Sequence, residues 1–240
     1  MVRRRVLYVL PSLAVGGAER MVVHLATRIN RDRFEVAVVT LSSPVGTELE
    51  TTLHDYDIPV WHLNKERGFH PKTYGRLHEI YARYKPDIVH THQYVLRYTL
   101  PLMVINKTIR GVHTVHNIAE REVGPLGRYV NRLAFRFNII PVAIAREVAA
   151  SIARVYGLYK IPVIPNGIPI EAYREPKIAR EVWRAYHGFG VQDIIFVNVA
   201  RLSAQKNQFV LIDAFASGPA RWPNTFLLLV GDGEDREHLR

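Results

Sequence analysis

The chain has 240 residues, 48% of them hydrophobic and 22% charged, with a formal net charge of +10 and no cysteine. That length and balance suit one large or two smaller globular domains and exclude a low-complexity chain. Without cysteine there is no disulfide framework, thiolate zinc site or thiol nucleophile, and no apolar run approaches the roughly 18 residues of a membrane-spanning helix.

Met1-Val2-Arg3-Arg4-Arg5 opens the chain with a basic stretch, but the apolar residues 6–10 are too short for a signal-peptide core. A cytoplasmic protein is therefore the expectation. The surplus of positive charge asks for an anionic partner: nucleic acid, a phosphorylated substrate or an anionic membrane surface. The arginines are scattered, and neither zinc-finger spacing, an RNP-like aromatic motif nor a basic heptad region occurs. Nucleic acid is therefore not an expected partner.

Short β-branched segments alternate with segments of helical period along the chain. Strands are expected at 6–10, 34–41, 60–63, 87–92, 111–116, 138–145 and 161–164, then at 193–200 and 225–230. Several are apolar throughout, as strands covered on both faces are. Ala18, Val22, Leu25, Ala26 and Ile29 mark one buried helix face. Further helices are expected at 74–84, 128–137, 147–156, 179–186 and 208–215, with another starting at Glu234. Repeated strand–helix units of this kind predict a doubly wound α/β sheet. Pro165-Asn166-Gly167-Ile168-Pro169 breaks regular structure and divides the chain into domains at 1–168 and 169–240. Only two strands fall in the second, so that domain reads as incomplete.

The first strand leads into Pro11 to Arg20, which contains Gly16 and Gly17. Ligands of doubly wound sheets collect at such strand ends, where glycines admit a close approach and a helix start offers N–H groups to an anion. The spacing is neither G-x-G-x-x-G nor a Walker motif, so no nicotinamide or ATP site is expected, and an ordinary tight turn is the competing reading. Two strand ends carry His90-Thr91-His92-Gln93 and His113-Thr114-Val115-His116-Asn117. Alternation puts His90 and His92 on one face, while His116 stands at the rim, where it can act as acid, base or donor. His90 and His113 read as buried, satisfied residues. No third ligand is placed with the histidines, so no metal is expected. Arg201 and Lys206 flank the loop after the strand at 193–200, a fork donor and an ammonium suited to a diphosphate.

These stretches together resemble the retaining glycosyltransferases of family 4, which have the GT-B architecture of two Rossmann-like domains. The matching segments are 9–23 with Gly16-Gly17-Ala18-Glu19-Arg20, 87–92, 114–117, 163–168, 199–207 and 227–233. The resemblance implies a metal- and cofactor-independent transfer of a sugar from a nucleotide-diphosphate donor to a glycan or lipid-linked acceptor, with retention. It implies that Arg201 and Lys206 hold the donor diphosphate, that Gly16 and Gly17 line the cleft beneath it, and that His116 sits by the reacting sugar. His92 and Asn117 would then be acceptor-side residues. The family's later pair of glutamates, which grips the donor, has no counterpart before Arg240. The chain thus reads as cut short, and a non-catalytic sugar-nucleotide-binding fragment or a GT-B epimerase or phosphorylase are the alternatives. Arg128, Arg132 and Arg136, interleaved with Tyr129, Leu133, Phe135 and Phe137, suggest either a solvated arginine face or a helix resting on the inner face of an anionic membrane.

Overall fold

The structure, a computed structural model, describes residues 2–66, 68 and 70–239. It divides into two compact units, Met1–Pro169 and Ile170–Arg240.

Unit 1 contains the strands β1 (Arg4–Leu10), β2 (Phe34–Thr40), β3 (Val60–His62), β4 (Ile88–His92), β5 (Arg110–Val115) and β6 (Ile139–Ala143). They form one wholly parallel sheet in the order β3-β2-β1-β4-β5-β6. Between them run helices α1 (Gly17–Arg28), α2 (Glu48–Asp55), α3 (Pro71–Tyr84), α4 (Leu96–Ile105), α5 (Ala119–Glu122) and α6 (Pro125–Arg136), and α7 (Arg146–Tyr156) follows β6.

The pleat of β1 shows why its residues are apolar without alternation. Val6, Tyr8 and Leu10 enter a core with Val36 and Val38 of β2, Met21 and Val22 of α1, and Leu49 and Leu53 of α2. Leu7 and Val9 enter a second core on the other face, with Leu77 of α3, Leu96 of α4, Phe135 of α6 and Ile152 of α7. A strand with helices on both sides buries both sets of side chains. This is the doubly wound α/β arrangement expected from the sequence.

Three local expectations change. Residues 161–164 form no strand: Val163 makes a single parallel bridge to Ala143. Pro162 and Pro165 flank it and have no N–H to extend a ladder. On α1 the buried face includes Met21 and Val23, while Leu25 is exposed. Glu234 starts no α-helix; a short 3-10 turn spans Glu237–Leu239.

Unit 2 begins with α8 (Glu171–Arg174) and α9 (Arg180–Tyr186). Strands β7 (Ile194–Val199) and β8 (Thr225–Val230) pair in parallel around α10 (Gln208–Ser217). Arg184 is buried, its Nη1 donating to the carbonyls of Gly190 at 2.7 Å and Asp193 at 3.0 Å, which ties α9 to the start of β7. Phe196, Val197 and Val199 of β7 and Phe209 and Val210 of α10 remain exposed.

Candidate functional site

The chain runs outward from β1 to β2 and β3, then returns to the other side of β1 as β4. Strand order therefore reverses between β1 and β4, and the crevice at their carboxyl ends is where a sheet of this type takes its ligands. The loop after β1 reaches it at Gly16, extended at φ −157, from which α1 starts. A Cβ on Gly16 would run into the carboxylate of Glu19, whereas one on Gly17 would meet nothing. Glu19 is buried, and its Oε1 accepts a hydrogen bond of 2.8 Å from Gln93 Nε2, directly after β4. Gln93 holds a left-handed backbone at φ +56. The crevice is thus bridged by Glu19 and Gln93, and Glu19 supplies the negative charge that the start of α1 favours. Gly17 is the open glycine of the pair.

Next along the edge stand the histidines. His92 is wholly buried, and its Nδ1 lies 3.0 Å from Nε2 of the partly exposed His116. Its ring packs against those of His90, at 4.3 Å between centroids, and Tyr8. His90 Nε2 is 2.8 Å from Thr114 Oγ1, and His113 Nδ1 is 2.9 Å from Thr91 Oγ1. His90 is thereby bonded as expected, but Nε2 of His113 is buried without a partner among the described residues, as is Nε2 of His92. Burial disfavours the charged form of all four rings. It pulls His90 and His113 down to about 3 and His116 to about 4, and His92 falls well below its ordinary value. Four neutral imidazoles therefore line this edge near neutral pH.

Behind His116, Glu122 of α5 accepts the backbone N–H of His116 at 3.1 Å. Burial pushes the Glu122 carboxyl up to about 7, against the pull of its bonds from the His116 and Asn117 amides. Asn117 turns its Oδ1 to the N–H of Ile118 at 2.9 Å. Among the described residues no three His, Cys, Asp or Glu side chains are grouped so as to hold a metal ion. Glu19, Gln93 and Glu122 were not singled out in the sequence. The Glu19–Gln93 bond spans 74 positions, a separation at which no motif signals contact.

In unit 2 the loop after β7 carries Arg201 and Lys206, both exposed. Gln208, buried at the start of α10, donates from Nε2 to the carbonyl of Arg201 at 2.9 Å. The turn 231–233 lies alongside: Ala200 N–H donates to Val230 O and Leu202 N–H to Asp232 O, both at 3.0 Å. Gly231, at φ +152, admits no Cβ because the carbonyl of Ala200 occupies that place. Glu234, just beyond the turn, accepts from Arg201 Nε at 3.1 Å and Nη2 at 3.0 Å. That pair is exposed, so it is weak and open to displacement by a stronger anion. Lys206 has no carboxylate partner among the described residues.

On α6, Asn131, Ala134 and Phe135 face inward, while Leu126, Tyr129 and Leu133 are exposed beside Arg132 and Arg136. Phe135 thus belongs to the core and not to the outer stripe. No helix among the described residues is long and apolar enough to cross a membrane.

The chain is similar to the alpha-monoglucosyldiacylglycerol synthase of Acholeplasma laidlawii, at 24% identity over 94% of this chain and 62% of that protein. It is likewise similar to the UDP-Gal:alpha-D-GlcNAc-diphosphoundecaprenol alpha-1,3-galactosyltransferase of Escherichia coli, at 24% identity over 94% of this chain and 61% of that one. It thus spans about three fifths of these relatives. Among solved structures, HepE of Anabaena in complex with UDP superposes with a TM-score of 0.79 at 23% identity, covering 98% of this chain and 63% of that one. The likeness establishes the two-domain GT-B fold, with part of the second domain covered. Residues 179–240 match the model of the glycosyl transferases group 1. Residues 15–172, more than half of the sequence, match the model of Glycosyltransferase Family 4, and the chain belongs to that family.

Proposed function

We propose that the protein transfers a sugar from a nucleotide-diphosphate sugar to a hydroxyl of a glycan or lipid-linked acceptor, with retention and without a metal ion or cofactor. The anomeric C–O bond to the diphosphate breaks, a C–O bond to the acceptor forms, and the nucleoside diphosphate and the hydroxyl proton leave. The observation that carries this reading is the pair Arg201 and Lys206 on the exposed loop at the carboxyl end of β7, with the Arg201 guanidinium paired to a displaceable carboxylate. A guanidinium fork and an ammonium there bind a diphosphate and offset the charge that grows on it as it leaves.

Unit 2 is then the donor-binding domain and unit 1 the acceptor-side domain. Gly17 offers its open backbone to the substrate, and Gly16 keeps Glu19 in place. His116 contacts the reacting sugar, Asn117 shapes the acceptor side, and His92 acts there through His116. UDP and UDP-glucose occupy crystals of HepE, which supports a sugar nucleotide as donor. The exposed Leu126, Tyr129 and Leu133 beside arginines support peripheral contact of unit 1 with an anionic membrane on the cytoplasmic side.

Titration calorimetry with UDP-glucose, GDP-mannose and ADP-glucose tests the donor site. Saturable binding of one of them, lost on Arg201→Ala, is the expected result. A folded chain that binds none, or an Arg201→Ala variant with unaltered affinity, would remove the assignment. Turnover of a donor without acceptor would favour an epimerase on the same fold.

A further inference from the structure

The contact between His92 and His116 holds information about where the protons are. Nδ1 of His92 and Nε2 of His116 are 3.0 Å apart, so one nitrogen carries a proton and the other accepts it. His92 is 0% exposed, and its second nitrogen, Nε2, has no partner among the described residues. Two neutral arrangements satisfy the contact. If His116 donates from Nε2, the proton of His92 sits on its own Nε2, a buried N–H facing no acceptor. If His92 donates from Nδ1, its Nε2 is a bare lone pair. A buried donor without an acceptor is the rarer defect in folded proteins, and a vacant lone pair is better tolerated. The second arrangement wins.

The neighbouring strand repeats the pattern. Thr91 Oγ1 lies 3.2 Å from the carbonyl of Val112 and 2.9 Å from His113 Nδ1. Its single hydroxyl proton goes to the carbonyl, which can only accept, so the hydroxyl oxygen accepts from His113 Nδ1–H. Nε2 of His113 is then bare and buried, with no partner among the described residues, as at His92. Both wholly buried imidazoles carry their proton on Nδ1 and leave the same nitrogen vacant.

We propose that His92 is a positioning residue that fixes the tautomer of His116, so that His116 presents Nδ1–H at the carboxyl edge of β5. With its Nε2 accepting from His92, the neutral ring keeps its proton on Nδ1, which makes no hydrogen bond within the described residues. The bond from the His116 amide to Glu122 fixes the backbone from which the ring projects. His116 is therefore built to donate a hydrogen bond to an oxygen and not to take a proton from a hydroxyl. That this oxygen belongs to a sugar nucleotide rests on the proposed function; the tautomer does not.

Long-range proton–nitrogen NMR on the whole chain, with nitrogen-15 in its histidines, reads the two ring nitrogens separately at pH 7.5. His116 is expected to show a protonated-type shift at Nδ1 and a bare-type shift at Nε2, and His92 the same. His92→Asn keeps an amide donor near the place of Nδ1 and should preserve the His116 pattern. His92→Phe keeps a ring but no donor and should move the His116 proton to Nε2. A wild-type His116 protonated at Nε2, or one still protonated at Nδ1 in His92→Phe, would overturn the proposal. Should His92→Phe not fold, the wild-type and His92→Asn spectra decide by the same criterion. UDP-glucose should then shift the His116 Nδ1 signal. An unmoved signal with the tautomer intact would sink the sugar-facing role alone.

Discussion

The carboxyl edge of the sheet in unit 1 and the loop after β7 in unit 2 hold their polar groups in opposite surroundings. In unit 1, His92 and His113 are wholly buried and Glu19 nearly so, joined by short bonds between residues far apart in sequence. In unit 2, Arg201 and Lys206 stand in solvent, and the ion pair of Arg201 with Glu234 is exposed as well. Burial keeps the histidines of the first edge neutral and preorganised, with tautomers chosen by unmade bonds. Exposure keeps the second charged and adjustable, with a partner that an incoming anion can replace. One edge suits recognition of uncharged oxygens and the other recognition of phosphate.

From that contrast, acid should undo unit 1 before unit 2, and this is the largest effect expected. The folded-state values of His90, His113 and His116, at about 3, 3 and 4, lie below the unfolded value of 6.5. The unfolded chain therefore binds protons that the folded chain refuses. The stability these groups contribute is fully present above pH 6.5 and is lost as the pH falls towards 4. Glu122 opposes this: raised from 4.5 to about 7, it favours the folded state below pH 4.5 and loses that contribution as the pH rises through 7. His92, held well below its ordinary value, acts in the same direction. One carboxyl against four histidines leaves a net rise in stability between about pH 4.5 and 6.5, of up to roughly 1.4 kcal/mol per pH unit for each unbalanced proton. Hydrogen exchange at pH 5 and pH 7.5 separates the units. Protection in β4 and β5 that does not change with pH would break the comparison.

The loop of unit 2 is sharpened by Gly231→Ala. The new Cβ meets the carbonyl of Ala200 at a positive φ, so the 231–233 turn must leave the 200–202 segment. A loss of about 2–3 kcal/mol confined to unit 2 is expected from urea unfolding followed by exchange. Arg201→Ala should instead leave unfolding unchanged and weaken binding of a sugar nucleotide by about 10–100-fold, as loss of a charge-assisted fork does. Raising salt should weaken the wild-type binding in the same direction. The smallest difference is expected between the two glycines of unit 1. Gly16→Ala should cost about 1 kcal/mol by displacing Glu19 from Gln93, and Gly17→Ala less than half of that, because its Cβ enters open space. Equal costs in thermal unfolding would count against the role given to Gly16.

Much of the fold was legible in the sequence because its strands are buried on both sides. The runs at β1 and β2 are apolar over their buried lengths without alternation, which is what two-sided burial requires. The helices α2 and α4 escaped for opposite reasons. α2 has only Leu49 and Leu53 to mark its inner face, and α4, Leu-Arg-Tyr-Thr-Leu-Pro-Leu-Met-Val-Ile, is so widely buried that it shows no period. Residues 161–164 had the composition of a strand, but two prolines removed the donors a ladder needs.

For the site, position along the chain was enough to locate His116, Arg201 and Lys206 at strand ends, since strand-to-helix loops of a parallel sheet all emerge on one edge. The family followed from the order of those loops. What local pattern does not encode is which distant residues meet. Glu19 finds Gln93, His92 finds His116 over 24 positions, and Arg201 finds Glu234 over 33. Pairing of β1 with β4, of β4 with β5 and of β7 with β8 brings those segments side by side, and burial then decides which atoms keep a proton. The sequence by itself determined the alternation of strands and helices, the charge and the loops that carry polar residues. Only the tertiary structure decided that one histidine orders another, because proton placement depends on neighbours that the sheet, and not the chain, makes adjacent.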